Sequence, residues 1–537
     1  MILGLSRAGL RGVALAVTVA VAQFAGPAPV AAGVTAFKQA VAEAASSDRD
    51  VADFYRENNY EPVWTGADED DAARRQALFL ALSGAQAHGL PLNRYDADAL
   101  YAMLRDVGSP RDRGLAEVAL TKTFLRFAQD LRSGALIPAE VVRDIKREVT
   151  YDDRTKTLER LSRENPRAFF RSLTPGTTEY ARLMKEKARL EHLITQGGWG
   201  PTVQAKSLEP GDTGTAVFAL RNRLIAMGYL RRSASASYDG LMQKAVQQFQ
   251  EDHGLNTDGV AGATTMKQIN VSAEERLKSV IVAMERERWF NKRRGYRHVL
   301  VNLTDFSARI VENDRIAFAT RAVVGKNVSD RRSPEFSDVM EFMVINPTWN
   351  VPRSIATKEY LPMMKRNPNA AGHLRLYDSR GRVVNRANIN FAAYTARNFP
   401  YAIKQPPSSR NALGLVKFMF PNKYNIYLHD TPQKSLFARD VRAFSHGCIR
   451  LQQPFEFAYE LLSKQTDDPE GLFHSKLRTG AETKVDLEQP LPVHIMYRTA
   501  FIDAKGRAQY RDDVYGRDAL IWQALEREGV SLPDIQG

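Results

Sequence analysis

The chain has 537 residues, 44% of them hydrophobic and 26% charged, which is typical of soluble globular proteins and long enough for about three or four domains. The net charge of +13 could indicate nucleic-acid binding, but the sequence has no recognisable nucleic-acid-binding motif and begins with a predicted export signal. We therefore expect no nucleic-acid partner, and attribute the positive charge to a solvated surface or to attraction towards an anionic envelope.

The N-terminus has the pattern of a secretory signal peptide over residues 1–32. Arg7 and Arg11 precede an apolar run from Val13 to Ala22, and small residues at 30–32 form a plausible cleavage site. The run is shorter than the roughly 20 residues that span a membrane. We expect export to the periplasm, with an uncleaved inner-membrane anchor as the alternative.

Residues 35–200 are predicted to form a helical scaffold domain that carries no chemistry. Apolar residues recur at helical spacing over 71–82, 118–131 and 180–194. Glycines and a proline at 197–201 interrupt this pattern and predict a domain boundary.

Residues 207–270 are predicted to form a small module of three helices. Apolar helical faces around Leu220 and Phe249 alternate with glycine-rich turns. A capping-box pattern from Ser272 to Glu275 then predicts the start of a connector helix over 272–292.

From residue 297 the apolar pattern changes to that of strands, and a mostly β domain is predicted for 297–505. The predicted strands are 298–303, 308–312, 316–324, 341–345, 416–420, 426–428 and 493–497. Residues 355–414 lack regular strand signals, and because so long a loop is improbable inside a compact domain, we expect a lid or subdomain there. The whole chain is thus predicted to be a multidomain α+β protein.

Cys448 is the single cysteine of the chain and the strongest candidate for chemistry. Most lone cysteines are small buried hydrophobes, but a reactive one needs a base or a positive environment to ionise. His429, 19 residues upstream at the end of an apolar run, can approach from a neighbouring strand and is predicted to be this base. His446 lies so close in sequence that its ring would need a cramped turn to reach the sulfur.

Gly447 allows a sharp backbone turn beside the cysteine. The N–H groups of His446, Gly447 and Cys448 could then converge on an oxyanion. We expect no metal and no other cofactor, because His446 and Cys448 are too close for comfortable joint zinc ligation and none of the nine histidines lies in an H-x-x-E-H pattern.

The residues around this cysteine resemble the signature of the L,D-transpeptidase (YkuD-type) family. That signature is a histidine, a spacer and Ser/Thr-His-Gly-Cys, which His429 and Ser445-His446-Gly447-Cys448 match. Arg450 departs from the asparagine that many members have. The long periplasmic, YcbB-like subgroup is similar at Arg450 and in four stretches: NPTWNVP (346–352), QPPSSRNALG (405–414), IYLHDTP (426–432) and RDVRAFS (439–445).

The resemblance implies a peptidoglycan L,D-transpeptidase. In that family the cysteine attacks the bond between the L-centre of diaminopimelate and D-alanine in a tetrapeptide stem, D-alanine leaves, and an amine of another stem takes the acyl group. Carried over, Cys448 is the nucleophile and His429 the general base and acid, with its other ring nitrogen held by the carbonyl of Asp430. The implied partners are the tetrapeptide donor and a diaminopimelate-containing acceptor, and membrane-associated cell-wall synthesis proteins stay open as further partners.

The resemblance also implies roles for other parts of the chain. It makes 35–200 an accessory scaffold, 207–270 a peptidoglycan-binding-like domain and 355–414 a substrate-capping insertion. Family members are characteristically sensitive to carbapenems, so Cys448 is expected to be a carbapenem target. The implied oxyanion and support residues are Ser445, His446, Gly447, Asp430 and Arg450, and the implied substrate-binding residues are Tyr427, Trp349 and Asn411.

Two alternative functions remain open at this stage. An L,D-carboxypeptidase would form the same acyl-enzyme and transfer it to water, so that product analysis alone separates the two. A non-catalytic wall-binding protein would use only the 207–270 module, but the intact pair of His429 and Cys448 argues against it.

Overall fold

The computed structural model describes residues 35–533, so the predicted signal peptide at 1–32 lies outside the described part. These residues form a helical N-terminal domain, a small three-helix module, a connector helix and a mostly β domain, which confirms the predicted multidomain α+β fold. The β domain has an inserted subdomain, called the cap, that includes the predicted lid at 355–414. Over the same residues, no helix is both long and apolar enough to cross a membrane.

The N-terminal domain is built around an apolar core that includes Trp64, Phe124 and Phe169. Short polar side chains cap many of its helices, as Ser109 does by accepting the N–H of Asp112. The predicted helical segments are confirmed by α3, α5 and α9 in this domain, whose helices are α1 Ala36–Ala45, α2 Arg49–Glu57, α3 Glu69–Ser83, α4 Ala97–Arg105, α5 Pro110–Ser133, α6 Pro138–Val141, α7 Arg154–Arg163, α8 Pro166–Leu173 and α9 Thr178–Thr195.

A small three-helix module and a connector helix follow the N-terminal domain. The module consists of α10 Thr215–Ala226, α11 Gly240–Asp252 and α12 Ala263–Ile269, and the connector is α13 Ala273–Trp289. The side chain of Ser272 accepts the N–H of Glu275 at 3.2 Å, which starts the connector. Every residue from Val280 to Trp289 is buried, so this helix is a central packing element of the molecule and more than a spacer.

The β domain is built on a sheet that closes on itself. The strands of the described residues, including those of the cap and a C-terminal hairpin, are β1 Arg297–Asn302, β2 Ser307–Glu312, β3 Arg315–Gly325, β4 Phe336–Ile345, β5 Trp349–Asn350, β6 Arg375–Tyr377, β7 Val383–Val384, β8 Ala402–Gln405, β9 Val416–Met419, β10 Leu428–His429, β11 Ala443–Ser445, β12 Ile449–Leu451, β13 Thr483–Met496, β14 Ala500–Ile502 and β15 Ala508–Tyr510. In the closed sheet the strand order is β11-β3-β12-β10-β9-β4-β13-β1-β2, and β2 pairs again with β3. The sequence pattern missed the short strands β11 and β12, which flank Cys448.

The predicted lid is a subdomain with its own core. Strands pair in the order β5-β8-β6-β7, and apolar side chains such as Leu361, Leu376, Phe391 and Ile403 are buried between them and the neighbouring helices. The helical segments of the cap are α14 Arg353–Ile355, a π-helical turn Ala356–Tyr360 and α15 Leu361–Arg366. Because β5 begins at Trp349, the cap starts earlier than the predicted residue 355.

After Met496 the chain leaves the closed sheet and packs on helices of the N-terminal domain and the connector. The helices after the cap are α16 Pro454–Leu462, α17 Pro469–Leu477 and α18 Arg517–Arg527. Side chains of β14, β15 and α18 share one buried cluster with α9 and α13. The predicted domain end at residue 505 falls in the turn between β14 and β15, since the closed sheet itself ends at Met496.

Candidate active site

A cleft of about 730 Å³ lies between the closed sheet and the cap. Its walls include Cys448, His429, Tyr427, Trp349 and His446. The structure therefore gathers the two residues predicted as nucleophile and base, together with two of the three predicted substrate-binding residues, around one cavity.

Strand pairing bridges the 19 residues between the histidine and the cysteine. Leu428 on β10 is paired with Ile449 on β12 in parallel register, and the N–H of Ile449 donates to the carbonyl of Tyr427 at 3.1 Å. Cys448 therefore lies beside Tyr427 just before β12 begins, and His429 ends the neighbouring strand.

His429 is 4% exposed, and its ring is oriented by the backbone. Its Nδ1 lies 2.5 Å from the carbonyl oxygen of Asp430, the contact implied by the family resemblance. An Nδ1–H that donates to this oxygen leaves Nε2 with a free lone pair, as a general base requires. Burial, followed by the charge of Arg450, lowers the pKa of His429 to about 3, so the imidazole is neutral near pH 7.

Cys448 is half-buried, and its Sγ–H donates to the carbonyl of Asn425 at 3.5 Å. Burial raises the pKa of the thiol to about 11, although hydrogen bonds from Tyr427 and the charge of Arg450 act in the opposite direction. Within residues 35–533, no hydrogen bond joins Cys448 to His429, and such contacts often tighten only when substrate binds. The pair is therefore a neutral thiol and a neutral imidazole.

Ser445 and Gly447 shape the turn that presents the cysteine. Gly447 has φ +118°, which favours glycine. Ser445 Oγ donates to the carbonyl of Cys448 at 2.6 Å and accepts the N–H of Gly447 at 3.1 Å. This last contact corrects the prediction for Gly447, because its N–H is already bound to Ser445. Over residues 35–533, the N–H groups of His446 and Cys448 have no acceptor, so these two are the candidate oxyanion donors.

Ser333 also fixes the Ser445–Cys448 turn, a role that the sequence did not predict. Its Oγ donates to the carbonyl of Gly447 at 2.6 Å and accepts the N–H of Gly325 at 2.9 Å. Tyr515, near the C-terminus, donates its hydroxyl to the carbonyl of Gly325 at 2.6 Å. No local pattern marks Ser333, because its partner is 114 residues away along the chain.

His446 is tied to the cap. Its Nε2 lies 2.6 Å from Oε1 of Glu359, which also accepts from Arg331 Nη2 at 2.7 Å. One residue earlier in the cap, Lys358 pairs with Asp330 at 2.7 Å. The ring of His446 is therefore held by a cap carboxylate, and the cap is joined to the catalytic sheet by two adjacent ion pairs.

Asp430 and Arg450 flank His429 in different ways. The carboxylate of Asp430 accepts the N–H of Leu415 at 2.9 Å and pairs with Lys434 at 2.6 Å. Gly414 has φ +62° and lies so close to Asp430 that an added Cβ would stand 2.2 Å from its Oδ2. Asp430 thus fixes the strand ends, whereas Arg450 lines the cleft and donates to Gln433 at 2.7 Å.

The three residues predicted to bind substrate differ in position. Tyr427 and Trp349 line the cleft, and the indole of Trp349 packs edge-on against Tyr360 with ring centroids 6.2 Å apart. Asn411 does not line it. Its side chain is fully buried, donates to the carbonyls of Pro347 and Gln405 and accepts the N–H of Leu413. The substrate-binding prediction for Asn411 is therefore wrong, since its side-chain amide binds backbone atoms of the cap and of the segment that leads into it.

Among residues 35–533, no group of three or more His, Cys, Asp or Glu side chains could hold a metal ion.

Three family profiles match the sequence, one for each part of the fold. The "Scaffold domain" profile matches residues 49–186, the "Putative peptidoglycan binding domain" profile matches 213–269, and the "L,D-transpeptidase catalytic domain" profile matches 296–477. The last of these includes both His429 and Cys448.

The chain is also similar to a curated protein and to solved structures. A Haemophilus influenzae protein described as "Putative L,D-transpeptidase" is 32% identical over 225 residues, which are 42% of this chain and 45% of that protein. The chain thus matches less than half the length of this relative. One solved structure is an L,D-transpeptidase from Xylanimonas cellulosilytica, with 15% identity and a TM-score of 0.17 over 55% of this chain and 98% of that chain. Another is an L,D-transpeptidase from Stackebrandtia nassauensis, with 16% identity and a TM-score of 0.22 over 55% of this chain and 97% of that chain.

Fold, site and profiles together define a class of protein, one with a mostly β L,D-transpeptidase catalytic domain joined to helical modules. More particularly, the chain has an L,D-transpeptidase (YkuD) catalytic domain at residues 296–477, which a scaffold domain and a putative peptidoglycan-binding domain precede.

Proposed function

We propose that the protein is a peptidoglycan L,D-transpeptidase that forms crosslinks between stem peptides through an acyl-enzyme on Cys448. The observation that carries the proposal is the position of Cys448 and His429 at adjacent strand ends of a cleft covered by the cap. The L,D-transpeptidase catalytic domain and the peptidoglycan-binding domain support peptidoglycan as the substrate.

In the proposed first step, Sγ attacks the carbonyl carbon at the L-centre of diaminopimelate while Nε2 of His429 takes the thiol proton. The neutral pair supports a concerted transfer, since neither group is charged near pH 7. The free N–H groups of His446 and Cys448 can stabilise the tetrahedral oxyanion. The C–N bond then breaks, His429 returns the proton to the departing amine, and D-alanine leaves.

In the second step, an amine of another stem attacks the thioester carbon. His429 accepts a proton from this amine and returns one to sulfur as the thiol leaves. Water in place of the amine would make the protein an L,D-carboxypeptidase through the same intermediate, so the acceptor decides between the two activities.

The test is incubation of the purified protein with defined tetrapeptide muropeptides and identification of the products by mass spectrometry. Crosslinked dimers and free D-alanine are expected. Exclusive tripeptide products would indicate the carboxypeptidase, and no product at all would favour a non-catalytic wall-binding protein. Cys448→Ser should fold normally and be inactive, because a hydroxyl is much harder to ionise than a thiol; wild-type rates in this variant would refute the nucleophile assignment.

Carbapenem sensitivity is a further prediction. A thiolate can open a strained β-lactam, and the small ring substituents of carbapenems suit a site that accepts an L-centre better than penicillins do. We expect intact-protein mass spectrometry to show a stable carbapenem adduct that disappears in Cys448→Ala, and little lasting adduct with ampicillin. A stable ampicillin adduct, or a carbapenem adduct in Cys448→Ala, would contradict the prediction.

We also propose a periplasmic location, because residues 1–32 have the pattern of a signal peptide. Fractionation of cells and sequencing of the mature N-terminus would test it. A mature protein that starts near residue 33 is expected, and a membrane-bound protein that begins at Met1 would indicate the uncleaved anchor.

A further inference from the structure

Three side chains form a row on the cleft face of the central strands. In the antiparallel ladder His429 on β10 is paired with Lys417 on β9, and in the parallel ladder it is paired with Arg450 on β12. Laterally paired residues project to the same face of a sheet, and all three line the cleft. A cation therefore flanks His429 on each side.

Neither cation is neutralised by a carboxylate of the described residues. Within residues 35–533, neither Lys417 nor Arg450 forms an ion pair with a carboxylate. Nη1 of Arg450 donates to the neutral amide oxygen of Gln433 at 2.7 Å, and its buried Nε has no hydrogen-bond partner. The acid that acts on Lys417 from a distance is Glu482, whose Oε2 already accepts the N–H of Thr348 at 2.6 Å.

The other charges in the cleft are satisfied internally. Asp330 pairs with Lys358 and Glu359 pairs with Arg331, both at 2.7 Å, and Arg353 donates to backbone carbonyls of the cap. Among the described residues, three cations of the cleft have no carboxylate partner: Arg353, Lys417 and Arg450. Two of them, Lys417 and Arg450, flank His429. Because burying a charge without a partner costs free energy, these two positions favour an anionic ligand.

We propose that Lys417 and Arg450 bind the C-terminal carboxylate of the leaving D-alanine, so that the enzyme selects donor stems that end at this residue. The inference rests on the proposed function and deepens it. His429 must return a proton to the D-alanine nitrogen, and the carboxylate of an amino acid is only two bonds from that nitrogen. A group that flanks His429 is therefore correctly placed to hold it, and guanidinium is suited to planar, bidentate recognition of carboxylates.

Binding of the carboxylate would also act on His429. The charges of Arg450 and Lys417 both lower the pKa of this histidine. A bound carboxylate neutralises them, which makes the imidazole a stronger base when a correct donor is present. We therefore expect the carboxylate to influence kcat as well as KM.

The test compares acylation of the wild-type protein by three tetrapeptides: one with a free C-terminus, one with a C-terminal amide, and one amidated instead on the free carboxylate of diaminopimelate. The C-terminal amide should lower kcat/KM by roughly 10- to 100-fold, as expected for hydrogen bonds to a charged group. Amidation of diaminopimelate, the other source of a carboxylate, should have a smaller effect.

Substitutions of Lys417 and Arg450 test whether these two side chains distinguish the free C-terminal acid from the amide. Lys417→Met combined with Arg450→Gln should lose activity with the free acid and no longer distinguish it from the C-terminal amide, and Arg450→Lys should retain part of the discrimination. Lys423→Met is the matched control, because this exposed lysine lies outside the cleft lining and pairs with no carboxylate within residues 35–533. It should discriminate like the wild type. Thermal unfolding of each variant establishes that the protein is folded.

Several outcomes would overturn the proposal. Equal kcat/KM for the acid and the C-terminal amide in an active wild-type protein would refute it while the transpeptidase function stands, and a larger loss on amidation of diaminopimelate would refute the assignment to D-alanine. Calorimetric binding of both C-terminal forms to Cys448→Ala separates the carboxylate site from turnover. There, tighter binding of the acid supports the site even if no product forms, and equal binding contradicts it.

Discussion

The environments of Cys448 and His429 both disfavour charge. The thiol is half-buried between the loop that carries Asn425 and the Ser445–Cys448 turn, and the imidazole is buried between two cationic side chains. The residues that make the turn rigid, Ser445 and Ser333, bind backbone atoms of Gly447 and leave the sulfur exposed to the cleft. The site is thus pre-organised for attack without a pre-formed ion pair.

This predicts an unusual alkylation profile for Cys448. Free cysteine ionises at a pKa of about 8.5, whereas burial raises the pKa of this thiol to about 11. The rate of iodoacetamide modification should therefore keep rising above pH 9 and should not reach a plateau near neutrality. Because Cys448 is the single cysteine, Cys448→Ala gives the background rate, and a plateau between pH 5 and 7 would indicate a thiolate–imidazolium pair instead.

A helical turn of the cap contacts the Ser445–Cys448 turn. Residues 356–360 form a π-helix, a rare conformation that often occurs at functional sites. It places Lys358 and Glu359 side by side against Asp330, Arg331 and His446. These contacts link the position of the cap to the orientation of the turn before Cys448.

We predict that Glu359→Gln loosens the cap. Loss of the carboxylate removes its ion pair with Arg331 and leaves only a neutral amide oxygen to bind His446, and both contacts involve partly buried side chains. Hydrogen exchange over 353–366 should accelerate, and kcat/KM should fall by ~3- to 10-fold, as expected from a net loss of about 1 kcal/mol.

Lys358→Gln is the control for this element. It breaks the neighbouring pair with Asp330, whose side chains are 61% and 51% exposed, and exposed pairs contribute little. A smaller change than in Glu359→Gln is expected in both measurements. Equal effects of the two substitutions would mean that the cap is held by its overall packing and not by the carboxylate.

At the scale of the whole molecule, a buried ionic network joins the connector helix and α18 to the segment that carries Ser333. Arg286 of the connector binds Glu335 at 2.6 Å and Asp518 at 3.0 Å. Arg517 of α18 binds Glu335 at 2.9 Å and donates to the carbonyl of Ser333 at 2.7 Å. Since Ser333 also holds Gly447, the C-terminal helix supports the catalytic turn from a distance.

Arg517→Met should therefore be strongly destabilising. Removing one partner of a buried pair leaves the other charge unpaired, which costs about 3–5 kcal/mol. Denaturant unfolding should show this loss, and Arg527→Met, a substitution in the exposed last turn of the same helix, should change stability by less than about 0.5 kcal/mol. A loss of the same small size in both variants would show that the network contributes little.

Stability should also decrease on mild acidification. Burial lowers the pKa of several histidines: His88 to about 4, His429 and His494 to about 3, and His253 well below its usual value. Unfolded histidines bind protons below about pH 6.5, whereas these do not, so the free energy of unfolding falls as pH drops from about 6.5 towards 4.

Asp518 acts in the opposite sense, because burial raises its pKa to about 6, and burial also raises the pKa of Glu117, Asp130 and Asp252. The expectation rests on the five histidines with a lowered pKa, among them His298, since their unfolded forms bind protons between pH 7 and pH 5. The melting temperature should therefore be lower at pH 5 than at pH 7. His253→Gln should reduce this difference, whereas an unchanged melting temperature across the range would show that the histidines are not buried in neutral form.

The sequence by itself determined the features that depend on local pattern. Helical periodicity marked α3, α5 and α9, Ser272 marked the start of the connector, and the spacing of His429 from Ser445-His446-Gly447-Cys448 identified the pair and its family. These signals are local because helix caps and contiguous motifs depend on neighbours only a few residues away.

The tertiary structure alone decided how distant segments share one site. It brought Ser333 and Tyr515 beneath Gly447, Glu359 onto His446, and Lys417 beside His429, and it placed Asn411 in the root of the cap instead of the cleft. It also packed the C-terminal hairpin and α18 against α9 and α13. Strand pairing and buried ion pairs join residues from about ten to more than a hundred positions apart, and no local preference of the chain records which partners will meet.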